Sequence, residues 1–106
     1  MNRQEQVNKL VDYLENVRTV LNSFEKYSIL SISVDEEEAK VHISSMSFFS
    51  FWNGEELTIS DINSQSSVDD DPITKNISFY RGEVKFSALF SKFEFQKWQE
   101  KMNSPQ

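Results

Sequence analysis

The chain has 106 residues, contains no cysteine and carries a formal net charge of −6 at pH 7. This length suits a single domain, and 38% hydrophobic and 13% aromatic content is enough for one compact core. The lack of cysteine excludes a disulfide framework, a thiolate metal site and a cysteine nucleophile, and the net negative charge argues against direct binding of nucleic acid.

The first predicted element is a helix over residues 2–24. It opens with a capping box formed by Asn2 and Glu5. Apolar residues follow at three- and four-residue steps: Val7, Leu10, Leu14, Val17, Leu21 and Phe24. The same spacing fits a heptad repeat, so a coiled-coil homodimer is an alternative. Because Val11, Tyr13 and Val20 widen the stripe beyond a two-helix seam, the preferred interpretation is a helix packed on a sheet.

An antiparallel hairpin is predicted over residues 28–45, because apolar residues alternate there with serine and other polar residues. Pairing Val34 with Val41 also pairs Ile32 with Ile43 on the same face. The six residues between Val34 and Val41 then form the loop, and four of them are acidic.

A second hairpin is predicted at the Asn53-Gly54 turn, with Phe48 opposite Ile59. This interpretation places aromatic side chains on both faces of one strand. Either a bulge near Ser44 and Ser45 reorients the strand, or some of the rings are exposed and anchor a partner.

Residues 61–72 are rich in Ser, Asp and Asn and are predicted as a surface loop. Oxygen-bearing side chains alternate from Asp61 onward, as they do in a calcium loop. The glycine at the sixth position and the closing glutamate are missing, so no metal site is predicted.

A third hairpin is predicted at Arg81-Gly82, with Phe79 opposite Val84. A capping box formed by Ser91 and Glu94 then predicts a C-terminal helix. The order of elements predicts an α+β fold with an N-terminal helix, an antiparallel meander of about five strands and a C-terminal helix. Helices and sheet would form a two-layer sandwich.

No enzymatic activity and no cofactor are expected. His42 is the only histidine, and it is predicted on the polar face of a strand. The chain has only two glycines, which excludes a glycine-rich phosphate-binding loop.

The start of the chain lacks the apolar core of a signal peptide. No apolar run approaches the roughly 18 to 20 residues that span a bilayer. We therefore expect a cytoplasmic protein without a membrane segment.

The acidity is concentrated in the middle third. Residues 35–73 hold ten acids against Lys40 alone, a net charge of −9, whereas the segment before them is neutral and the segment after them is positive. The predicted partner-binding residues are these acids and two aromatic anchors: Asp35, Glu36, Glu37, Glu38, Phe51, Trp52, Glu55, Glu56, Asp61, Asp69, Asp70 and Asp71.

A negative surface speeds encounter with a basic partner and can occlude a nucleic-acid groove. The charge layout therefore predicts an inhibitor that docks on a basic protein, such as a nuclease or another nucleic-acid-binding protein. In size and charge the chain is similar to phage anti-defence inhibitors of the anti-CRISPR type and to toxin immunity proteins, an analogy without a shared motif. A self-associating structural or assembly module is the alternative.

Overall fold

The computed structural model describes residues 2–62 and 71–103, in which three helices and a five-stranded mixed sheet form an α+β fold. The elements are α1 (Arg3–Asn22), β1 (Ile29–Val34), β2 (Ala39–Ile43), α2 (Ser45–Phe51), β3 (Thr58–Asp61), β4 (Ile73–Arg81), β5 (Val84–Ser91) and α3 (Lys92–Asn103).

The strand order is β1-β2-β5-β4-β3, so the predicted antiparallel meander is wrong. Three neighbouring strand pairs are antiparallel, but β2 and β5 run parallel, with Ala39 opposite Val84. The reason lies in α2, which carries the chain away from β2. Strand β3 then pairs with the far side of β4, and β5 fills the place beside β2.

The predicted hairpin at Asn53-Gly54 is also wrong, because residues 45–51 form α2 instead of a strand. Aromatic residues stand both two and three to four positions apart in this segment, so they fit a helix as well as a strand. As part of α2, Phe48 is completely buried. A strand with aromatic side chains on both faces would need a covering layer on each face to bury them.

The first hairpin, β1–β2, is confirmed, but its register differs from the predicted one by two residues. Ile32 lies opposite Val41, and Val34 lies opposite Ala39. The Asp35 carboxylate accepts hydrogen bonds at 2.8 and 2.7 Å from the amides two and three residues further on, which closes a shorter loop. A shift of two residues keeps every side chain on its own face, so hydrophobic alternation does not distinguish the two registers.

The third hairpin, β4–β5, is confirmed, and its register is likewise shifted by two residues from the predicted one. Arg81 pairs with Val84, and Phe79 pairs with Phe86 rather than with Val84. Gly82 adopts a φ of 63°, which a glycine tolerates without strain, and this permits a tight turn between the two strands.

The capping box of α3 is confirmed in full, whereas that of α1 is confirmed only for the Glu5 amide. At the start of α1, the Glu5 amide donates to Asn2 Oδ1 at 2.8 Å, and Asn2 Nδ2 donates to the Glu5 carboxylate at 3.2 Å. At the start of α3, the Glu94 amide donates to Ser91 Oγ at 3.2 Å, and the Ser91 amide donates to Glu94 Oε1 at 3.0 Å. These contacts explain why both helix starts could be predicted within a residue or two.

The core lies on one face of the sheet, which we call the inner face. Helices α2 and α3 cover the β4–β5 part of this face. The buried apolar residues are Ile43, Phe48, Ile77, Phe79, Ala88 and Phe90. Side chains on the opposite, outer face are largely polar, as the alternation of the strands requires.

Helix α1 departs from the predicted sandwich, because none of its residues is buried. The described part of the chain has a radius of gyration of 17.2 Å and a longest extent of 56 Å. A compact chain of this length has a radius of gyration of about 13 Å. The excess reflects a helix that stands off the body instead of closing over the sheet.

Candidate functional site

The most prominent surface feature is the apolar side of α1. Its large side chains and that of Phe24, which follows the helix, are about half exposed, with fractions from 41% to 57%: Val7, Leu10, Val11, Tyr13, Leu14, Val20 and Phe24. We call these residues the α1 stripe. The largest apolar patch on a typical monomer covers about 300 to 600 Å² and is often functional, which makes the α1 stripe a candidate interaction surface.

A groove of about 1010 Å³ separates the C-terminal half of α1 from the inner face of the sheet and from α2. Its main lining residues are Tyr13, Val17, Val20 and Leu21 of α1, Ile32, Val41 and Phe86 of the sheet, and Met46 and Phe51 of α2. We call it the α1 groove. Helix and sheet thus present apolar surfaces to each other without closing the space between them.

Two local features are found where the chain leaves α1 beside the groove. The rings of Phe24 and Phe51 are stacked, with centroids 5.3 Å apart and an interplanar angle of 18°. Tyr27 adopts a left-handed φ of 67° in the connection to β1. Such a conformation is uncommon for a residue with a side chain, and the Tyr27 side chain is 72% exposed.

Several predicted partner-binding acids share one end of the sheet. Because Ala39 lies opposite Val84, the loop at residues 35–38 is at the same end as the β4–β5 turn. Glu55 reaches Arg81 at this end as well. We call it the acidic end, and its carboxylates are Asp35, Glu36, Glu37, Glu38, Glu55, Glu56 and Glu83.

Cations and backbone amides engage part of the acidic end. Lys40 Nζ lies 3.3 Å from the Glu38 carboxylate, and Arg81 Nε donates to Glu55 at 2.6 Å. The hydrogen bond from Arg81 lowers the pKa of Glu55 to about 2. Hydrogen bonds from two backbone N–H groups of the loop likewise lower the pKa of Asp35. The field at this end is therefore weaker than its number of carboxylates suggests.

Other predicted acids lie at the opposite end of the sheet. Asp61 pairs with Lys75, about 20 Å along β4 from the acidic end. Asp71 accepts a hydrogen bond from the Phe93 amide at 2.8 Å in the first turn of α3. Asp69 and Asp70 lie outside the described residues. The structure thus brings together the acids at 35–38 and 55–56, but not those at 61 and 71.

The two predicted aromatic anchors contribute to packing. Phe51 is half-buried and lines the α1 groove. Trp52 is half-buried, meets Phe49 edge-on at 5.9 Å and donates its indole N–H to the Glu55 carbonyl at 2.6 Å. The neighbouring cleft, formed with Trp98, has a volume of about 810 Å³.

His42 lies on the outer face, half-buried between Ser31 of β1 and Ser87 of β5. Within residues 2–62 and 71–103, no three His, Cys, Asp or Glu side chains come together in a way that could hold a metal ion. None of the helices in the same segments combines the length and the apolarity needed to cross a bilayer.

From the sequence, the α1 stripe was interpreted mainly as part of the core, and the α1 groove was not predicted. The wide apolar stripe was the available signal, since it marks a face that something must cover.

Comparisons of the chain with protein-family models, with curated proteins and with solved structures gave no match.

Proposed function

We propose that this chain is a non-catalytic assembly module that self-associates through α1. The observation that carries the proposal is the exposure of the α1 stripe in a helix with no buried residue. Most of the stability of a helix in a protein comes from packing of its apolar face against another surface. A second copy of the chain supplies that surface.

The exposed area supports a second copy as the occupant. Stable interfaces bury roughly 800 Å² on each partner, and the stripe offers seven half-exposed apolar side chains to such an interface. The adjoining α1 groove offers further apolar surface beside it. Two copies would bury the stripe and the groove surface against each other.

The charges on α1 also favour association with a like helix. Its cations are Arg3, Lys9 and Arg18, and its anions are Glu5, Asp12 and Glu15. The helix is therefore neutral overall, so two copies can approach without net repulsion between their interface helices. A strongly basic helix would gain no electrostatic advantage from docking on α1.

Light scattering coupled to size-exclusion chromatography tests the proposal. We expect the wild-type mass to rise above the 12.4 kDa of one chain toward twice that value as protein concentration increases. Leu10→Glu should give the monomer mass, because it places a charge within the stripe. The matched control is Asn8→Glu, which adds the same charge at an exposed polar position of the same helix.

A monomer mass for the wild type at every concentration would contradict self-association. Equal loss of the larger species in both variants would show that charge or helix content matters, rather than the stripe.

A second candidate function, a protein-binding inhibitor that docks on a basic nucleic-acid-binding protein, draws support from the acidic end. Glu36 and Glu37 are exposed there, in the hairpin loop that Asp35 organises. Clustered exposed charge of one sign steers oppositely charged partners.

Calorimetric titration at low salt with a basic endonuclease tests this second candidate. The double variant Glu36→Gln, Glu37→Gln should bind more weakly than wild type, whereas Asp61→Asn at the opposite end should bind equally well. Absence of binding by the wild type, or equal weakening by both changes, would argue against an inhibitor.

A further inference from the structure

Strand β1 forms one edge of the sheet, and its outward backbone groups are arranged for pairing with another strand. The Asp35 amide donates to the Glu38 carbonyl at 2.9 Å, which makes these residues a hydrogen-bonded pair at the end of the hairpin. Hydrogen-bonded and non-bonded pairs alternate along an antiparallel ladder. The amides and carbonyls of Ile32 and Val34 therefore point away from β2, toward the edge.

Apart from a β-bulge between Ile29 and Ser31, this edge lacks the features that protect natural sheet edges. Residues 28–34 contain no charge, no proline and no glycine. Three apolar side chains of the strand are substantially exposed, namely Leu30 at 52%, Ile32 at 39% and Val34 at 57%. A strand with this composition is a template for pairing with a further strand.

The other edge, β3, is protected in the ways that β1 is not. It has only four residues, and it ends at Asp61, which forms an ion pair with Lys75 of β4. A short strand that carries a charge discourages edge pairing. The contrast singles out β1 as the edge at which another strand adds.

We propose that the β1 strands of two copies pair antiparallel about a twofold axis at Ser33, which joins their sheets into one of ten strands. This inference rests on the proposed self-association and specifies its geometry. Ile32 of each copy then exchanges hydrogen bonds with Val34 of the other. Both side chains lie on the inner face, where Ile32 also lines the α1 groove, so the strand pair and the α1 stripe form one continuous interface.

For two copies of the chain, charge favours the antiparallel orientation over the parallel one. An antiparallel seam places the two loops at residues 35–38 at opposite ends, so the four acids of one loop avoid those of the other. A parallel seam would bring the two loops together. The seam itself buries no charge, because residues 28–34 are uncharged.

Cysteine cross-linking tests the geometry, because the natural chain has no cysteine. Two Ser33 residues that face each other in a non-bonded pair have Cα atoms about 4.5 Å apart, a distance that a disulfide spans. Under mild oxidation, Ser33→Cys should form a covalent dimer roughly tenfold or more faster than Ser60→Cys, because pairing raises the effective thiol concentration. The control is matched, since Ser60 is also an exposed serine, on the opposite edge strand.

The outcomes separate this inference from the proposed function. Equal or slower cross-linking of Ser33→Cys in a protein whose wild type has the dimer mass would overturn β1 pairing and leave association through α1 standing. A monomer mass for the wild type would overturn both. Rapid cross-linking of Ser33→Cys that Leu10→Glu slows in the double variant would support one interface built from β1 and α1.

Discussion

At the acidic end, the side chain of Arg81 contacts several separate parts of the chain. Its Nε donates to Glu55 at 2.6 Å, and its Nη2 donates to the Phe51 carbonyl at 2.8 Å. Its guanidinium also lies 5.5 Å from the centroid of the Phe79 ring. Arg81 thereby ties the C-terminal end of α2 and the following loop to the end of β4.

This contact predicts a specific dependence of stability on pH. The pKa of Glu55 falls from 4.5 to about 2 on folding, so its contribution is fully present above pH 4.5 and is lost as the pH falls through about 2. We expect Glu55→Gln to melt below wild type at pH 7, with a difference that shrinks toward pH 2. Thermal melts across this range measure the effect.

The neighbouring variant Glu56→Gln, at an exposed position, is the control and should follow the wild-type curve. A difference between Glu55→Gln and wild type that stays constant from pH 7 to pH 2 would show that the carboxylate charge of Glu55 contributes nothing.

Elements with local end signals could be predicted, and those defined by packing could not. Helices α1 and α3 begin at capping boxes and continue with helical spacing, so sequence alone located both. Helix α2 has only seven residues and is rich in aromatic residues that favour strands. Its conformation depends on the burial of Phe48 against β4 and β5, a tertiary contact that no local pattern reveals.

The burial of Phe48 allows a prediction of how much this side chain contributes to the packing of α2 on the sheet. Its ring is completely buried and meets Phe79 and Phe90 at centroid distances of 5.4 and 5.7 Å. Phe48→Ala should lower the free energy of unfolding by about 3 to 5 kcal/mol. Urea denaturation measures this loss.

Met46→Ala is the control for α2, because Met46 is 93% exposed on the same helix. It should change stability by no more than about 0.5 kcal/mol. A similar cost for both variants would mean that Phe48 does not anchor the helix to a packed core.

At the scale of the whole molecule, the strand order determines which of the predicted partner-binding residues lie at the same end of the sheet. The sequence predicted the acids at residues 35–38 in a hairpin loop, where the structure has them, but their grouping with Glu55 depends on the parallel pairing of β2 with β5. That pairing places the loops at residues 35–38 and 55–56 together and leaves Asp61 at the other end. Long-range topology of this kind has no local signature. The apolar residues of α1, by contrast, could be recognised from their helical spacing, but the packing on the sheet predicted for them is absent from the described structure.

Self-association predicts that the protection of α1 depends on concentration. Amide hydrogens of α1 should exchange more slowly as protein concentration rises, because the dimer covers the apolar face of the helix. Amides of β4 and β5 should be unaffected, since their core is complete within one chain. Hydrogen exchange followed by mass spectrometry at two concentrations provides the measurement, and α1 protection that is already complete in dilute solution would contradict it.

The parallel pair β2–β5 also has a consequence for the folding pathway. Among the described strands, it is the one pair that joins the segments before and after α2, and it unites Ala39 with Val84, 45 positions apart. Contacts so distant in the chain form late, because the entropy of closing the intervening loop must be overcome first. The two hairpins should therefore form early and independently, and their union should limit the refolding rate. A shorter connection between them would accelerate that step.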